Sequence, residues 1–266
     1  MKKISVALAT YNEEKNIDHC FKSVSSWVDE IVVVDGSSVD NTVHIAEKYQ
    51  AKIIISDNPE IFHINKQKAI DACSGDWILQ LDADEVVSDE LKKEIIKVIN
   101  QSSIINHQSS VNGYWIPRKN YFLGKFLIKG GQYPDYTLRL NKRGKGRLPC
   151  KSVHEQAEVA GKTDYLKNPL LHYSYPDFNH YLKHFNLYTD ILANDLKNSK
   201  IRISLYSSFL YLFIKPIYWF LLTYFRNKGF QDGLPGFVFS FFSSLRFSTA
   251  YIKYWEKNHS NNELQK

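Results

Sequence analysis

Asp82 and Asp84 stand two residues apart, directly after the apolar run Trp77-Ile78-Leu79-Gln80-Leu81. Two carboxylates so spaced, just past a strand, can turn into one crevice and hold a hard cation such as Mg2+ or Mn2+. Such an ion takes a few carboxylate oxygens, fills its shell with phosphate oxygens and neutralises charge building on a departing diphosphate. Two further apolar runs end in polar groups. The run at 4–8 leads into Thr10-Tyr11-Asn12-Glu13-Glu14, and the run at 30–34 into Asp35. Any one of these acids is more simply read as the cap of a following helix. Three strand ends delivering polar groups to one edge read better as a site, because ligands of open parallel sheets bind beyond the carboxyl ends of the strands.

The elements that must position these groups follow from spacing. Ile17, Cys20, Phe21, Val24 and Val28 recur at helical intervals after the first strand. A helix over about 41–49 leads to a third strand at 52–55, and one around 65–72 precedes the fourth at 77–81. Ser88 opens a helix running to about residue 100, with Leu91, Ile95, Ile96 and Ile99 facing inward. Strands alternating with helices imply an α/β fold, a mostly parallel sheet with helices on both faces. The pattern loosens over 101–112, read as a surface loop, and shorter aromatic-rich strands follow to about 175. From about 179 the chain turns helical, so the expected domains are 1–178 and 179–266.

Composition narrows the classes. A chain of 266 residues buries a full core, and one domain with an appendage suits it. The formal charge of +6 fits nucleic acid, anionic lipid or phosphorylated substrates without choosing among them. Cys20, Cys73 and Cys150 lie far apart with no CxxC pair, which argues against a disulfide framework or a structural zinc and for a reducing compartment. Met1-Lys2-Lys3 and the short run after it are too brief for a signal peptide, so the catalytic part is expected in the cytosol. No GxGxxG follows the first strand, and the segment from Gly146 to Ser152 fails as a Walker loop because Pro149 intervenes and no Gly precedes Lys151.

Residues 6–14, 32–42 and 81–85 together resemble family 2 of the inverting glycosyltransferases, which have the GT-A (Rossmann-like) fold. Tyr133-Pro134-Asp135 with Arg139-Leu140, Val153-His154-Glu155, the His172–Tyr175 segment and the Asp232–Phe237 segment are similar to the bacterial lipopolysaccharide core glucosyltransferase branch. The resemblance implies that Tyr11 stacks on a nucleotide base, near Thr10 and Glu13, and that Asp35 hydrogen-bonds it. It implies that Asp82 meets the ribose or the metal and that Asp84 binds the metal. The usual Asp-Asp of the second strand end is here Asp35-Gly36, and no Gln-x-x-Arg-Trp occurs, which favours transfer of one sugar over processive synthesis. UDP-glucose and a lipid-linked or lipopolysaccharide-core acceptor are the implied substrates.

An inverting transfer needs a general base for the acceptor hydroxyl. Glu155, beside His154, is the first candidate and Asp135 the second. His154 and His172 are read either as metal or phosphate contacts or as hydrogen-bonded structural histidines. Arg139 is read either as pairing with a diphosphate or, more commonly for an arginine on a strand, as a solvated or salt-bridged residue. The competing functions are nucleotidyl transfer and non-catalytic sugar-nucleotide binding at a membrane; nucleic acid is not an expected partner.

The last third is expected to lie on a membrane, peripheral at its inner face. Residues 203–225 are strongly apolar, but Lys215 and Pro216 sit near the middle. A charge there costs on the order of 3 kcal/mol in a bilayer centre, and proline breaks a helix. Two amphipathic helices meeting at Pro216 are therefore expected. Tyr211, Tyr218, Trp219 and Tyr224 would sit at headgroup depth, with Lys200, Arg202, Arg226 and Lys228 near anionic lipid. The apolar segment 234–254, interrupted by Arg246, would add a second face. A plain buried hairpin is the alternative.

Overall fold

The computed structural model describes residues 2–101, 111–151 and 156–263. The chain forms two compact units, one of Met1–Lys119 and Pro134–Tyr173, the other of Asn120–Tyr133 and Ser174–Lys266.

In the first unit, β1 (Ile4–Thr10), α1 (Ile17–Val24), β2 (Glu30–Asp35), α2 (Thr42–Lys48), β3 (Lys52–Ile55), α3 (His63–Asp71) and β4 (Trp77–Leu81) alternate as their periodicity predicts. Parallel pairs give the order β3-β2-β1-β4. Alternation along each strand divides the core. Val6 and Leu8 of β1 face Phe21 and Val24 of α1, while Ala7 faces Ala69 and Ile70 of α3. Gly75 lets the turn into β4 pass against β1, since a Cβ there would lie 2.7 Å from the Ser5 amide nitrogen.

Beyond β4 the pairing turns mostly antiparallel. A short β5 (Glu85–Val87), not marked in the sequence, is followed by α4 (Asp89–Gln101), whose Leu91, Ile95 and Ile99 are buried. Ser88 caps α4 as expected, accepting from the Leu91 amide at 3.2 Å. β6 (Gly113–Phe122), β7 (Lys125–Phe126), β8 (Asp135–Lys142), β9 (Gly146–Arg147), β10 (Glu158–Val159), β11 (Thr163–Tyr165) and β12 (Leu170–His172) complete the strands of the described residues. β8 adds antiparallel to β4 and β6 to β8, and β5 pairs with β12 at the far end.

The second unit contains α5 (Phe178–Asn198), α6 (Leu205–Phe209), α7 (Lys215–Phe220) and α8 (Gly233–Glu263). Asp177 caps α5 through the His180 amide, and Phe122, Leu127 and Tyr181 pack with Phe178, Phe185 and Phe242. The expected break at Pro216 is absent. A π-helical turn at Leu210–Ile214 joins α6 to α7, with the Lys215 amide donating to the Leu210 carbonyl, and a second π turn at Leu221–Arg226 follows. Pro216 sits in the first turn of α7, where a missing N–H is tolerated. Two of the aromatics expected at headgroup depth turn inward instead. Tyr211 is buried and stacks on Tyr251, and Trp219 donates to the Ser243 hydroxyl at 2.9 Å.

Candidate functional site

The order β3-β2-β1-β4 reverses direction between β1 and β4, which opens a crevice at the carboxyl ends of those two strands. A cleft of about 310 Å³ lies there, lined by Thr10 at the end of β1 with Tyr11 and Glu13 beyond it, by Asp82, Ala83 and Asp84 after β4, by Phe62, Asn65 and Lys66 of the α3 region, and by His172. Six of the residues singled out from sequence, His172 among them, thus share one space.

Asp82 is held from two sides. Its Oδ2 lies 2.6 Å from Arg139 Nη2, and its Oδ1 pairs with Lys66 Nζ. Burial pushes the Asp82 carboxyl up, but the Arg139 guanidinium and the Lys66 ammonium outweigh that and hold it well below the usual carboxylate range. Arg139 is itself buried on β8, where it also meets Glu85 Oε1 at 2.7 Å and the Gln80 side chain. Burial works against its charge, and Asp82 and Glu85 more than restore it. Arg139 is therefore absent from the cleft lining and acts on Asp82 from behind.

Asp84 is exposed to a similar degree but meets a histidine where Asp82 meets an arginine and a lysine. Its Oδ2 faces His172 Nε2 at 3.3 Å, and both side chains are partly open to the cleft. Among the described residues no three His, Cys, Asp or Glu side chains form a ready-made cation cage. The pair nonetheless fits a divalent ion that keeps phosphate and water ligands, because it offers one hard oxygen and one imidazole with room beside them.

Tyr11 is 45% exposed on the cleft wall, and Phe62 presents a second open ring, over which Lys66 Nζ sits 4.7 Å from the centroid. Glu13 stands nearby with its carboxyl pushed up. Burial is the main cause, countered by a hydrogen bond from Asn16 and reinforced by the charges of Asp84 and Asp82. Asp35 lies behind this wall and is fully buried. It accepts from Thr10 Oγ1 at 2.9 Å, from the Ser38 amide at 2.7 Å and from Ser38 Oγ at 2.7 Å. The loops after β1 and β2 are tied further by Ser38 and Thr42, which accept from the amides of Asn12 and Glu13.

Asp135 opens β8 and pairs with Arg118 at 2.7 Å, apart from the cleft lining. His154 and Glu155 lie outside the described residues. Lys66, Phe62, Glu85 and Arg118 carry no mark in the sequence as parts of a site. Glu85 adjoins the Asp82-Ala83-Asp84 signal, and its complete burial beside Arg139 is what gives it a role.

The chain matches the family model for Glycosyl transferase family 2 over residues 5–155. An uncharacterised glycosyltransferase of Rickettsia typhi is 30% identical over 257 residues, covering 93% of this chain and 85% of that one. The lipopolysaccharide core biosynthesis glycosyltransferase LpsC of Rhizobium meliloti is 28% identical over 245 residues, covering 88% of this chain and 85% of that one. The crystal structure of S. aureus TarS 1-349 in complex with UDP aligns with a TM-score of 0.49 at 15% identity, over 94% of this chain and 91% of that one. With its family match spanning more than half the sequence, the chain belongs to glycosyl transferase family 2.

Proposed function

We propose that the chain transfers a single hexose, with inversion, from a nucleotide-diphosphate sugar to a hydroxyl of a lipid-linked or lipopolysaccharide-core glycan at the inner face of a bacterial membrane. The observation that carries this reading is the cleft at the β1/β4 junction, where Asp82 and Asp84 leave one strand end and the open ring of Tyr11 leaves the other. UDP-glucose is the proposed donor. The acceptor class rests on the name of the Rhizobium relative. The membrane location rests on the apolar surface of the second unit, so that 1–178 would serve as the transferase domain and 179–266 as the membrane-surface region.

In this reading Tyr11 stacks on the base, with Thr10 and Glu13 beside it. Asp35, already engaged by Thr10 and Ser38, acts on the base edge through the hydroxyls it orders. Lys66 meets the diphosphate from the α3 wall, and Arg139 acts on it through Asp82. Asp84 with His172 would hold a divalent cation, Mg2+ or Mn2+, which would supply positive charge beside the departing diphosphate. Asp82 and His154 are the further candidates for its shell. Glu155 takes the proton from the acceptor hydroxyl as its oxygen bonds to the anomeric carbon and the bond to the diphosphate breaks. Asp135 is the alternative base.

The test is nucleotide release. With UDP-glucose, Mn2+ and a lipopolysaccharide-core acceptor, UDP release is expected to depend on both metal and acceptor, and Asp84→Ala of unchanged circular dichroism is expected to lose it. Near-normal turnover in that variant removes the metal-site assignment. Pyrophosphate as product would indicate nucleotidyl transfer, and UDP binding without turnover a non-catalytic binder.

A further inference from the structure

The helix at 205–226 carries a feature that neither its composition nor its length predicts. Leu205, Phe209, Phe213, Ile217, Leu221 and Phe225 recur every fourth residue, and their exposures are 92, 58, 53, 57, 49 and 55%. In a pure α-helix each four-residue step overshoots the turn by about 40°, so five steps would carry the row roughly 200° around the axis. The π turns at Leu210–Ile214 and Leu221–Arg226 widen the winding and take up that overshoot. The result is one straight apolar ridge. Along the opposite side Ser207, Tyr211 and Thr223 are buried, and Lys215 lies inward, 3.6 Å from the centre of the Tyr211 ring. The charge in the middle of the ridge helix is thus kept off the ridge, and Arg226 stands at its end. Phe237 of α8, packed on Phe220 and Tyr224, and Phe241, stacked on Phe237, extend the apolar surface.

Charge is arranged to match. Residues 196–231 contain six basic side chains, Lys197, Lys200, Arg202, Lys215, Arg226 and Lys228, and no Asp or Glu. The chain has 34 basic and 28 acidic residues, so this one stretch holds its whole excess of +6, and the remainder is balanced. Lys200 and Arg202 flank one end of the ridge, and Arg226 and Lys228 the other.

We propose that this ridge inserts into a single leaflet of an anionic lipid bilayer, lying along the surface with its basic ends on the headgroups. An apolar face takes its affinity from buried area, and flanking lysines and arginines add attraction to anionic lipid. This rests on the reading of the chain as an enzyme of a membrane-borne acceptor, and it names the lipid class and the residues that enter it.

Sedimentation of the full chain with phosphatidylcholine vesicles, with and without phosphatidylglycerol, tests it. Wild type is expected to pellet with the anionic vesicles and to be released by alkaline carbonate. Phe213→Glu with Ile217→Glu, both exposed and so compatible with the fold, is expected to weaken vesicle binding roughly tenfold or more. Lys200→Glu with Arg202→Glu is expected to erase the preference for phosphatidylglycerol. UDP binding by calorimetry, read in parallel, is expected to be the same in every variant, which separates failure of the ridge from failure of the transferase reading. Wild type that ignores anionic vesicles overturns the proposal. So does a soluble dimer that Phe213→Glu dissociates, which makes the ridge an interface between copies. Retention in carbonate-washed membranes overturns it in favour of a span.

Discussion

Asp82 shows how one side chain can be spent on its neighbours. With Arg139 on one oxygen and Lys66 on the other, it is a fixed negative centre, which is why Asp84 beside His172 is the ligand we propose for a metal. Its folded pKa lies below the unfolded value of about 3.9. The stability it contributes is therefore complete above that unfolded value and is lost as pH falls through the lower folded one. Asp82→Asn is expected to flatten the acid limb of the stability curve below about pH 4; denaturant midpoints measured across that range in both proteins check it, and parallel limbs refute it. If Glu155 is the base, as proposed, Glu155→Gln keeps the shape of the side chain but removes its capacity to take the acceptor proton. Turnover is expected to fall by about a hundredfold or more, with donor binding little changed. An active Glu155→Gln beside an inactive Asp135→Asn would move the base to Asp135. Of these residues Asp82, Asp84 and Tyr11 were legible as cleft-lining positions because each stands within three residues of the end of an apolar run. Lys66 was not, since nothing in a lysine on a short helix announces an aspartate sixteen residues later in the chain.

Among the elements, the segment around β7 depends on one acid of the second unit. Asp232 is buried, and its Oδ2 accepts from the amides of Ile128 and Lys129 at 3.0 and 2.8 Å, while Lys125 stands 3.4 Å from Oδ1. Gly236 lets the start of α8 close on this turn, because a Cβ there would lie 2.0 Å from the Gly229 carbonyl oxygen. Asp232→Ala leaves two amides without their acceptor and is expected to cost about 3 kcal/mol. Equilibrium unfolding in denaturant measures it, and a loss under about 1 kcal/mol would mean that water or another group holds this segment. The helix at 205–226 differs from expectation for a related reason. Its sequence contains a proline and a lysine that read as a break, and the π turn before Pro216 absorbs both, placing the proline in a first turn and the lysine over an aromatic ring.

For the molecule as a whole, the three cysteines record the chemistry of its interior. Cys20 and Cys73 are buried, and Cys150 is partly open. Burial, with the nearby charge of Glu30, pushes the Cys73 thiol up to about 12, and burial also raises that of Cys20 well above its ordinary value. A thiol attacks as its thiolate, so both are expected to be inert at neutral pH. Titration with a disulfide reagent is expected to find no more than one fast thiol in the native protein, at Cys150, and three after denaturation. Two fast native thiols would show that one of the cores opens readily. The charge of the molecule is as unevenly placed as its thiols are sheltered, with the entire excess in one helical stretch of the second unit.

By itself the sequence determined what depends on neighbours along the chain. The 2- and 3.6-residue periodicities set β1 to β4 and α1 to α4, because each strand and helix must bury its apolar face. The acids after β1, β2 and β4 marked the site edge, because strand ends in such sheets converge. Tertiary structure alone decided which of those acids stay available. Arg139 lies 57 residues from Asp82 along the chain, and only the antiparallel addition of β8 to β4 brings the two together. It also decided which way the last helices face. The four-residue row from Leu205 to Phe225 was present in the sequence, yet its meaning depends on helical pitch. Pitch was settled by packing against α8, where Tyr251 and Ser243 take the inward Tyr211 and Trp219 and leave the apolar ridge outside.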